Sequence, residues 1–304
     1  MPVPRPLHQG SEVPSLAQES LIAVIGPTAS GKTRLALDLD RRTGAEIVSA
    51  DMGQLYKRLD AGTAKPEGVW EGGLYRVEGI PYHMVDILDP AQDTDAGSYA
   101  AAATPLLERG KVIVVGGTGL YIRALLEGLD PLPRKDAALR ERLSRETDLH
   151  ARLAELDPEA AARIPANNRQ RLIRALEVTL LTGKPISAQW SRKRASSAVY
   201  VGLKLEKGEL ERRIRERATA MFPAMLEEVR RLVPSRYSGT EPGFRLLGYP
   251  EALMTLRGKM TPEQGLQAMI ASTLAYAKRQ RTWFKNQVTA RWLDPGTACE
   301  EVLA

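Results

Sequence analysis

The first half of the chain contains short, continuous apolar runs that are rich in β-branched side chains. Residues 21–25, 45–51 and 111–117 are three such runs, and turn residues or a helical pattern follow each of them. Apolar runs of this length are typical of strands that are buried on both faces of a parallel sheet. Residues 82–87 predict a shorter strand, whereas residues 52–81 show little periodicity. Strands that alternate with helices predict an α/β protein whose parallel sheet is flanked by helices.

The pattern changes in the middle of the chain, where helical periodicity stands alone. Residues 134–174 carry ten Lys and Arg against seven Asp and Glu, so this helical part is basic. Strand character returns near residue 200. We therefore predict a disordered lead at 1–18, the first part of the α/β core at 19–130, an inserted all-helical lobe at 131–190, and the resumed core with C-terminal helices at 191–304.

Composition narrows the class of protein. The 304 residues carry a formal charge of +6, which favours an acidic partner such as nucleic acid. The single Cys299 excludes an intramolecular disulfide, and three scattered histidines make a zinc site an unfavourable interpretation. We find neither a signal-peptide pattern nor an apolar run long enough to span a membrane, so we expect a cytoplasmic protein.

The sequence GPTASGKT, directly after the first apolar run, matches the P-loop pattern G-x-x-x-x-G-K-[ST]. Backbone N–H groups of such a loop and the N-terminus of the next helix bind phosphate oxygens, while the Lys adds charge and the Ser or Thr hydroxyl can bind Mg²⁺. A P-loop NTPase-like core is therefore predicted. The motif leaves open whether its ligand is a nucleoside triphosphate or another diphosphate. The predicted phosphate cradle consists of Gly26, Pro27, Thr28, Ala29, Ser30, Gly31, Lys32 and Thr33.

Two further strand ends carry polar residues. Asp51 ends the second predicted strand and Thr118 follows the strand at 111–117, so both are expected at the edge of the sheet that holds the cradle. Asp51 could be a magnesium ligand, a general base or simply a turn residue. The glycines around Thr118 allow a ligand to approach closely, or mark an ordinary turn.

Basic residues cluster in three helical segments. Arg171 and Arg174 share one helical face, Arg213 and Arg217 lie one turn apart, and residues 278–285 combine four cations with Trp283 and Phe284. Cations interleaved with aromatic rings suit RNA, although an amphipathic helix explains the same pattern. The pair in the second segment could bind a diphosphate.

Nearly the whole chain resembles the tRNA dimethylallyltransferase family, also called tRNA isopentenyltransferases. The order and spacing of nine motifs carry the resemblance: GPTASGKT, VSADMGQLYKRLDAGTAKP, DILDP, VGGTGLYIRALLEGL, NNRQRLIRALEV, TGKP, LERRIRERATAM, FRLLGY and AKRQRTWFKNQ. The family usually has Ser where this chain has Met52, which weakens any role for a hydroxyl beside Asp51. The chain lacks the Cys/His zinc module of eukaryotic members, so the resemblance is to the bacterial type.

The resemblance implies an activity and a set of roles. The family transfers a five-carbon group from dimethylallyl diphosphate to N6 of adenosine 37 in a tRNA anticodon stem-loop with adenosines 36 and 37, and releases pyrophosphate. The cradle would then bind the donor diphosphate with Mg²⁺ at Thr33. The implied catalytic residues are Asp51 as general base, Thr118 at the flipped adenosine, and Arg213 or Arg217 at the diphosphate. The enzyme is expected to act as a monomer.

The resemblance also implies a tRNA-binding surface, formed in part by the 131–190 lobe. Its predicted residues are Asp51, Met52, Gly53, Gln54, Thr118, Arg140, Gln170, Arg171, Arg174, Phe244, Arg245, Gly248, Tyr249, Lys278, Arg279, Gln280, Arg281, Trp283 and Lys285.

Three alternative functions compete with this interpretation. A P-loop kinase would use the cradle for ATP and would not need the distal basic segments. An adenylate isopentenyltransferase would keep the chemistry but modify free AMP, ADP or ATP. A nucleotide-dependent RNA-binding module would leave Asp51 without a task.

Overall fold

The computed structural model describes residues 21–190 and 197–304, so the predicted lead at 1–18 lies outside the described residues. The chain divides into two compact units. The first contains the chain up to Leu126 together with Ser197–Ala304, and the second is Glu127–Ser196. The helical lobe predicted at 131–190 falls inside the second unit.

The described part of the first unit is built on an eight-stranded sheet with the order β3-β4-β5-β2-β6-β1-β7-β8. The six strands from β5 to β8 in this order pair in parallel, and β3, β4 and β5 pair antiparallel. This mostly parallel sheet confirms the predicted α/β class. The strands are β1 Leu21–Ile25, β2 Glu46–Ser49, β3 Val69–Glu71, β4 Leu74–Val77, β5 Ile80–His83, β6 Val112–Gly116, β7 Val199–Leu203 and β8 Arg291–Leu293.

Eleven helices accompany the strands in the described residues. In chain order they are α1 Lys32–Thr43, α2 Ala96–Leu107 and α3 Gly119–Leu126 in the first unit, α4 Ala137–Ser144, α5 Leu149–Leu156, α6 Pro158–Arg163 and α7 Arg169–Thr182 in the second, then α8 Lys207–Leu232, α9 Tyr249–Leu256, α10 Pro262–Gln287 and α11 Ala298–Leu303 in the first. The long helix α10 starts with a capping box, in which Thr261 and Gln264 satisfy each other's backbone N–H groups.

Alternate residues of β1 face opposite sides of the sheet. Ile22 and Val24 belong to the apolar core that α1 and α11 cover, and Ala23 and Ile25 belong to the core that α2 and α3 cover. Because both faces are covered, the strand carries no polar side chain, as its continuous apolar sequence predicts. The carboxyl ends of β1, β2 and β6 therefore meet at one edge of the sheet.

The weakly periodic stretch at 52–81 contains a β-hairpin that the sequence pattern did not indicate. β3 and β4 are joined by Gly72 and Gly73, both with positive φ, and the residues of β3 are exposed. Strands this short, with one exposed edge strand, produce no apolar run, so the sequence did not predict them. The strand predicted at 82–87 ends earlier, at His83, and β8 was also missed.

Candidate active site

The turn after β1 has a backbone that needs its glycines. Gly26 and Gly31 have φ values of 152° and 94°, and Ala29 also has a positive φ of 62°. A Cβ at Gly26 would lie 2.9 Å from Ser30 Oγ and 3.2 Å from the carbonyl of Leu203. The turn winds tightly and delivers the chain into the N-terminus of α1, the geometry of a phosphate-binding loop.

A cavity of about 310 Å³ opens at this turn. Six residues of the predicted cradle line it, whereas Gly26 and Pro27 are buried behind them. Its lining also includes the end of β2 and a residue of α8, so parts distant in sequence meet here. The lining residues are Thr28, Ala29, Ser30, Gly31, Lys32, Thr33, Asp51, Gln54, Thr63, Ala64, Pro66, Tyr82, Val115, Gly116 and Arg217.

Three charged side chains share the cavity. Burial lowers the pKa of Lys32 to about 8, although Asp51 opposes this shift and Arg217 adds to it. Burial raises the pKa of the Asp51 carboxyl against the opposing effects of Lys32, the Gly53 N–H and Arg217. Burial also lowers the pKa of Arg217, while Asp51 raises it. Two cations against one carboxylate leave the cavity suited to an anion.

Backbone contacts hold Asp51 in place. Its Oδ1 accepts a hydrogen bond of 3.0 Å from the N–H of Gly53, and its carbonyl accepts one of 3.2 Å from the N–H of Gln54. The N–H of Met52 donates to Thr118 Oγ1 at 3.1 Å, which joins the ends of β2 and β6. The carboxylate is therefore oriented before any ligand arrives, as a general base requires.

The hydroxyls of the cradle differ in their partners. Thr33 lies beside Tyr82, a buried tyrosine that lines the same cavity. Ser30 is fully buried, and its Oγ has no hydrogen-bond partner among the described residues. The described residues hold no group of three or more His, Cys, Asp or Glu side chains that could bind a metal. A metal here would need oxygen ligands from a bound ligand, as Mg²⁺ commonly uses phosphate oxygens.

The structure separates the two arginines that the sequence left as alternatives. Arg217 lines the cavity and interacts electrostatically with Asp51. Arg213, one turn earlier on α8, pairs with Glu209 at 2.6 Å and does not line the cavity. Arg217 is therefore the arginine of this pair that shares the cavity with the phosphate cradle.

The basic segment of α10 divides into an outer and an inner face. Lys278, Arg279, Arg281 and Lys285 are exposed. Trp283 lies against Gly119 and is half-buried, and the neighbouring Phe284 is fully buried in the core. The outer face is a row of accessible cations, which we call the α10 cation face and define as these four residues.

Six residues predicted to contact tRNA are buried, and the prediction of a direct contact is corrected for them. Gly53 and Gln54 lie in the turn after Asp51, where Gln54 is 6% exposed. Phe244 and Tyr249 are 2% and 0% exposed and belong to the apolar core beneath α8, α9 and α10. Gly248 is buried, and a Cβ there would lie 2.8 Å from Met225. Gln280 is 5% exposed and hydrogen-bonded inside the protein. Between these residues, Arg245 remains exposed.

In the second unit, two of the predicted tRNA contacts have a structural role. Arg140 and Arg174 both pair with Glu177, which is fully buried, at 3.2 and 2.7 Å. Removing either arginine would leave a buried carboxylate less well compensated. Gln170 and Arg171, at the start of α7, are exposed and accessible to a partner.

The sequence missed five residues of the site. Thr63, Ala64 and Pro66 come from the weakly periodic stretch, and Tyr82 comes from the end of the hairpin region. Tyr276 of α10 lies beside Thr118 and lines a smaller pocket next to the cavity. Thr63, Ala64 and Pro66 belong to one of the family motifs, but their place in the cavity depends on the packing of distant segments, which the sequence does not show.

A P-loop at the carboxyl edge of a parallel sheet, with the Asp51 carboxylate in the same cavity, defines a P-loop NTPase-like α/β protein. The model of the IPP transferase family matches residues 54–287, and that of the isopentenyl transferase family matches residues 19–76. The chain therefore belongs to the IPP transferase family, the family of tRNA dimethylallyltransferases, which confirms the resemblance noted from the motifs. None of its described helices is long and apolar enough to cross a membrane.

Curated relatives agree over most of their length. The chain is 42% identical over 277 residues to the tRNA dimethylallyltransferase of Elusimicrobium minutum, covering 86% of this chain and 90% of the relative. It is 44% identical over 290 residues to tRNA dimethylallyltransferase 1 of Citrifermentans bemidjiense, covering 91% and 93%.

Solved structures agree in fold. The tRNA isopentenylpyrophosphate transferase of Bacillus halodurans matches with a TM-score of 0.65 and 34% identity, over 91% of this chain and 90% of that one. A eukaryotic dimethylallyltransferase, crystallised acting on tRNA, matches with a TM-score of 0.75 over 91% of this chain and 74% of that one. At 24% identity, the second match supports the fold alone.

Proposed function

We propose that the protein transfers a dimethylallyl group from dimethylallyl diphosphate to N6 of adenosine 37 in tRNA. The observation that carries the proposal is the Asp51 carboxylate, which faces the same cavity as the phosphate cradle. Family membership and the names of the relatives support the reaction type. A cradle alone would suit many phosphorylated ligands; a buried base beside it suits transfer to a proton-bearing nucleophile.

The cradle binds the diphosphate of the donor. Lys32 and Arg217 supply positive charge, and the N-terminus of α1 supplies backbone N–H groups. Thr33 would hold Mg²⁺ together with the diphosphate oxygens, and the buried Oγ of Ser30 offers a further polar group at the loop. When bound, Mg²⁺ neutralises the charge that grows on pyrophosphate as it leaves.

An apolar pocket of about 90 Å³ adjoins the cradle and suits the hydrocarbon part of the donor. It shares five lining residues with the larger cavity, namely Thr28, Ala29, Thr63, Ala64 and Arg217. Its other walls include the aliphatic side chains of Ile214, Ala218, Met221, Leu247 and Met269. A five-carbon chain loses contact with water here, which favours binding.

Asp51 accepts a proton from the N6 amine of adenosine. The new bond joins N6 to C1 of the dimethylallyl group, and the bond between C1 and the diphosphate oxygen breaks with its electron pair on pyrophosphate. An exocyclic amine is a weak nucleophile, so removal of its proton must accompany bond formation. Burial raises the pKa of the Asp51 carboxyl, which makes its carboxylate a stronger base for this proton.

The tRNA contacts the protein outside the cavity. The α10 cation face carries four exposed charges near the turn that bears Thr118, and Gln170 and Arg171 offer contacts on the second unit. Charge of this kind binds phosphates without reading sequence. The adenosine must leave its stack to reach the cavity, as bases do for enzymes that modify them.

The test uses labelled dimethylallyl diphosphate, Mg²⁺, and either an unmodified anticodon stem-loop or AMP. We expect label in the RNA only, and digestion should yield N6-isopentenyladenosine. A matched stem-loop with guanosine at position 37 should stay unlabelled. Label in AMP alone would identify the protein as an adenylate isopentenyltransferase, and phosphate transfer from ATP would identify a kinase.

A further inference from the structure

A glutamine of α10 lies between two turns of the site. The Oε1 of Gln280 accepts a hydrogen bond of 2.8 Å from the N–H of Thr28, in the phosphate cradle. Its Nε2 donates one of 2.9 Å to the carbonyl of Gly117, in the turn after β6. The partners are 252 and 163 residues away in sequence, and the side chain is 5% exposed. The oxygen and the nitrogen of this side-chain amide are thus both hydrogen-bonded to backbone groups inside the protein.

The turn after β6 is shaped around this amide. A Cβ at Gly117 would collide with the Nε2 of Gln280, and no other atom would lie closer than about 3.4 Å. Gly117 does not have a positive φ, so its backbone is one that alanine can adopt. The space for Gln280, and not the backbone conformation, is what requires glycine here.

The two turns carry different parts of the proposed reaction. The cradle at Thr28 binds the donor, whereas the turn at Gly117 leads directly into Thr118. The N–H of Thr118 donates to the carbonyl of Ala50 at 3.2 Å, and Thr118 Oγ1 accepts from Met52 at 3.1 Å. These two contacts flank Asp51 on either side in sequence. A shift of the Gly117 turn would therefore be passed to the proposed base.

The helix that carries Gln280 is itself fixed at this place. Trp283 covers Gly119 so closely that a Cβ there would collide with its ring, and Phe284 is fully buried. One turn earlier on α10, Tyr276 lies beside Thr118. Because α10 is anchored on both sides of Gln280, the amide can act as a rigid spacer.

We propose that Gln280 is a positioning residue that fixes the distance between the donor cradle and the Asp51 turn. The proposal rests on the proposed transfer reaction. Gln280 touches neither substrate; it acts through Thr28 and Gly117. The N–H of Thr28 donates its hydrogen bond to Gln280. This N–H therefore orients the loop and does not bind the diphosphate.

The first variant is Gln280→Leu, which keeps the approximate size and removes both hydrogen bonds. We expect kcat for prenyl transfer to fall roughly 10- to 100-fold, since two buried backbone groups lose their partner. The Michaelis constants for donor and tRNA should stay within about twofold, because neither substrate loses a contact. Gln267→Leu, an exposed position on the same helix, is the control and should behave like the parent.

The second variant is Gly117→Ala, which displaces the Gln280 amide without shortening it. It should reproduce the loss of kcat, and in the Gln280→Leu background it should add less than about twofold, because the group it displaces is already gone. Independent losses that multiply in the double variant would contradict the proposal. So would a loss that follows a lower melting temperature and weaker tRNA binding, since that pattern belongs to a general structural role.

Hydrogen exchange provides a measurement that does not depend on turnover. The amide of Thr28 should exchange faster in Gln280→Leu than in the parent, while β1 exchanges at an unchanged rate. If the parent transfers no prenyl group to RNA, the proposed function fails. The exchange rate of the Thr28 amide then tests by itself whether Gln280 holds the cradle. If the parent is active and Gln280→Leu keeps its full kcat, the positioning role is refuted while the proposed function stands.

Discussion

Two basic regions of the first unit use the same residue types in opposite ways. In the cavity, Lys32 and Arg217 are enclosed beside Asp51, and burial lowers the pKa values of both cations. On the α10 cation face, four cations extend into solvent. Enclosed charges interact strongly and can serve chemistry, whereas exposed charges are screened by salt and serve affinity. Burial, more than residue type, therefore separates the proposed catalytic region from the proposed RNA-binding surface.

The largest expected effect comes from removing the proposed base. Asp51→Asn should lower kcat by roughly 10²- to 10⁴-fold, since the amide cannot accept the N6 proton. Binding of tRNA should remain within about twofold, measured by filter binding. Glu67→Gln, which neutralises an exposed carboxylate next to the cavity-lining Pro66, is the control. Full activity of Asp51→Asn would remove the carboxylate from the mechanism.

The next effect separates two arginines on one helix. Arg217→Met should raise the Michaelis constant for dimethylallyl diphosphate by about 10- to 100-fold, because a buried charge that faces the diphosphate is lost. Arg213→Met, one turn away, loses only its pair with Glu209 and should change this constant by less than about threefold. Equal effects of the two substitutions would contradict the assignment of Arg217.

The cradle should also show a pH limit. Burial lowers the pKa of Lys32 to about 8, so its ammonium is charged below that pH and neutral above it. The affinity for pyrophosphate with Mg²⁺ should therefore fall by up to about tenfold per pH unit above pH 8. Calorimetry across pH 7–9.5 measures this fall. Pyrophosphate itself titrates in the same way in the parent and in Lys32→Met. The loss of affinity that comes from Lys32 should therefore be missing in the variant, and identical pH profiles of the two proteins would contradict the prediction.

A smaller effect is expected at the α10 cation face. Replacing Arg279 and Arg281 together by alanine should weaken tRNA binding and reduce the slope of log affinity against log salt by about one unit per lost phosphate contact. The Michaelis constant for the donor should not change. The control is Arg230→Ala with Arg231→Ala, which removes the same charge from the exposed end of α8. If both pairs reduce the slope equally, the face has no specific role.

Local sequence patterns predicted those parts of the site that lie in a continuous motif or at the end of a strand. The phosphate cradle is one continuous motif, and Asp51 follows from the rule that carboxyl ends of parallel strands meet at one edge. The choice of Arg217 over Arg213 depends on how α8 packs against the cavity, which no spacing of arginines reveals. Thr63 reaches the cavity from the turns before β3, and Tyr82 reaches it from the short strand β5, which follows a hairpin without an apolar pattern.

Resemblance to a family predicted the function, but it did not predict which side chains of the motifs are buried and which are exposed. Phe244, Tyr249 and Gln280 belong to motifs that also contain the exposed Arg245 and Arg279, and a motif does not state which of its members face inward. On α10, the helical period decides this: Gln280 and Phe284 are four residues apart and share the buried face. In the fold, the continuous strands were predictable, whereas the edge strands β3 and β8 were not.

The division of labour between the cavity and the α10 cation face can be tested in one experiment. Single-turnover transfer is measured with donor and tRNA both saturating, for Asp51→Asn and for the variant with Arg279 and Arg281 replaced by alanine. Saturation removes differences in affinity, so only the transfer step remains. We predict a loss of roughly 10²- to 10⁴-fold for the first variant and a rate within about twofold of the parent for the second. A comparable loss in both variants, or a normal rate for Asp51→Asn, would contradict the account.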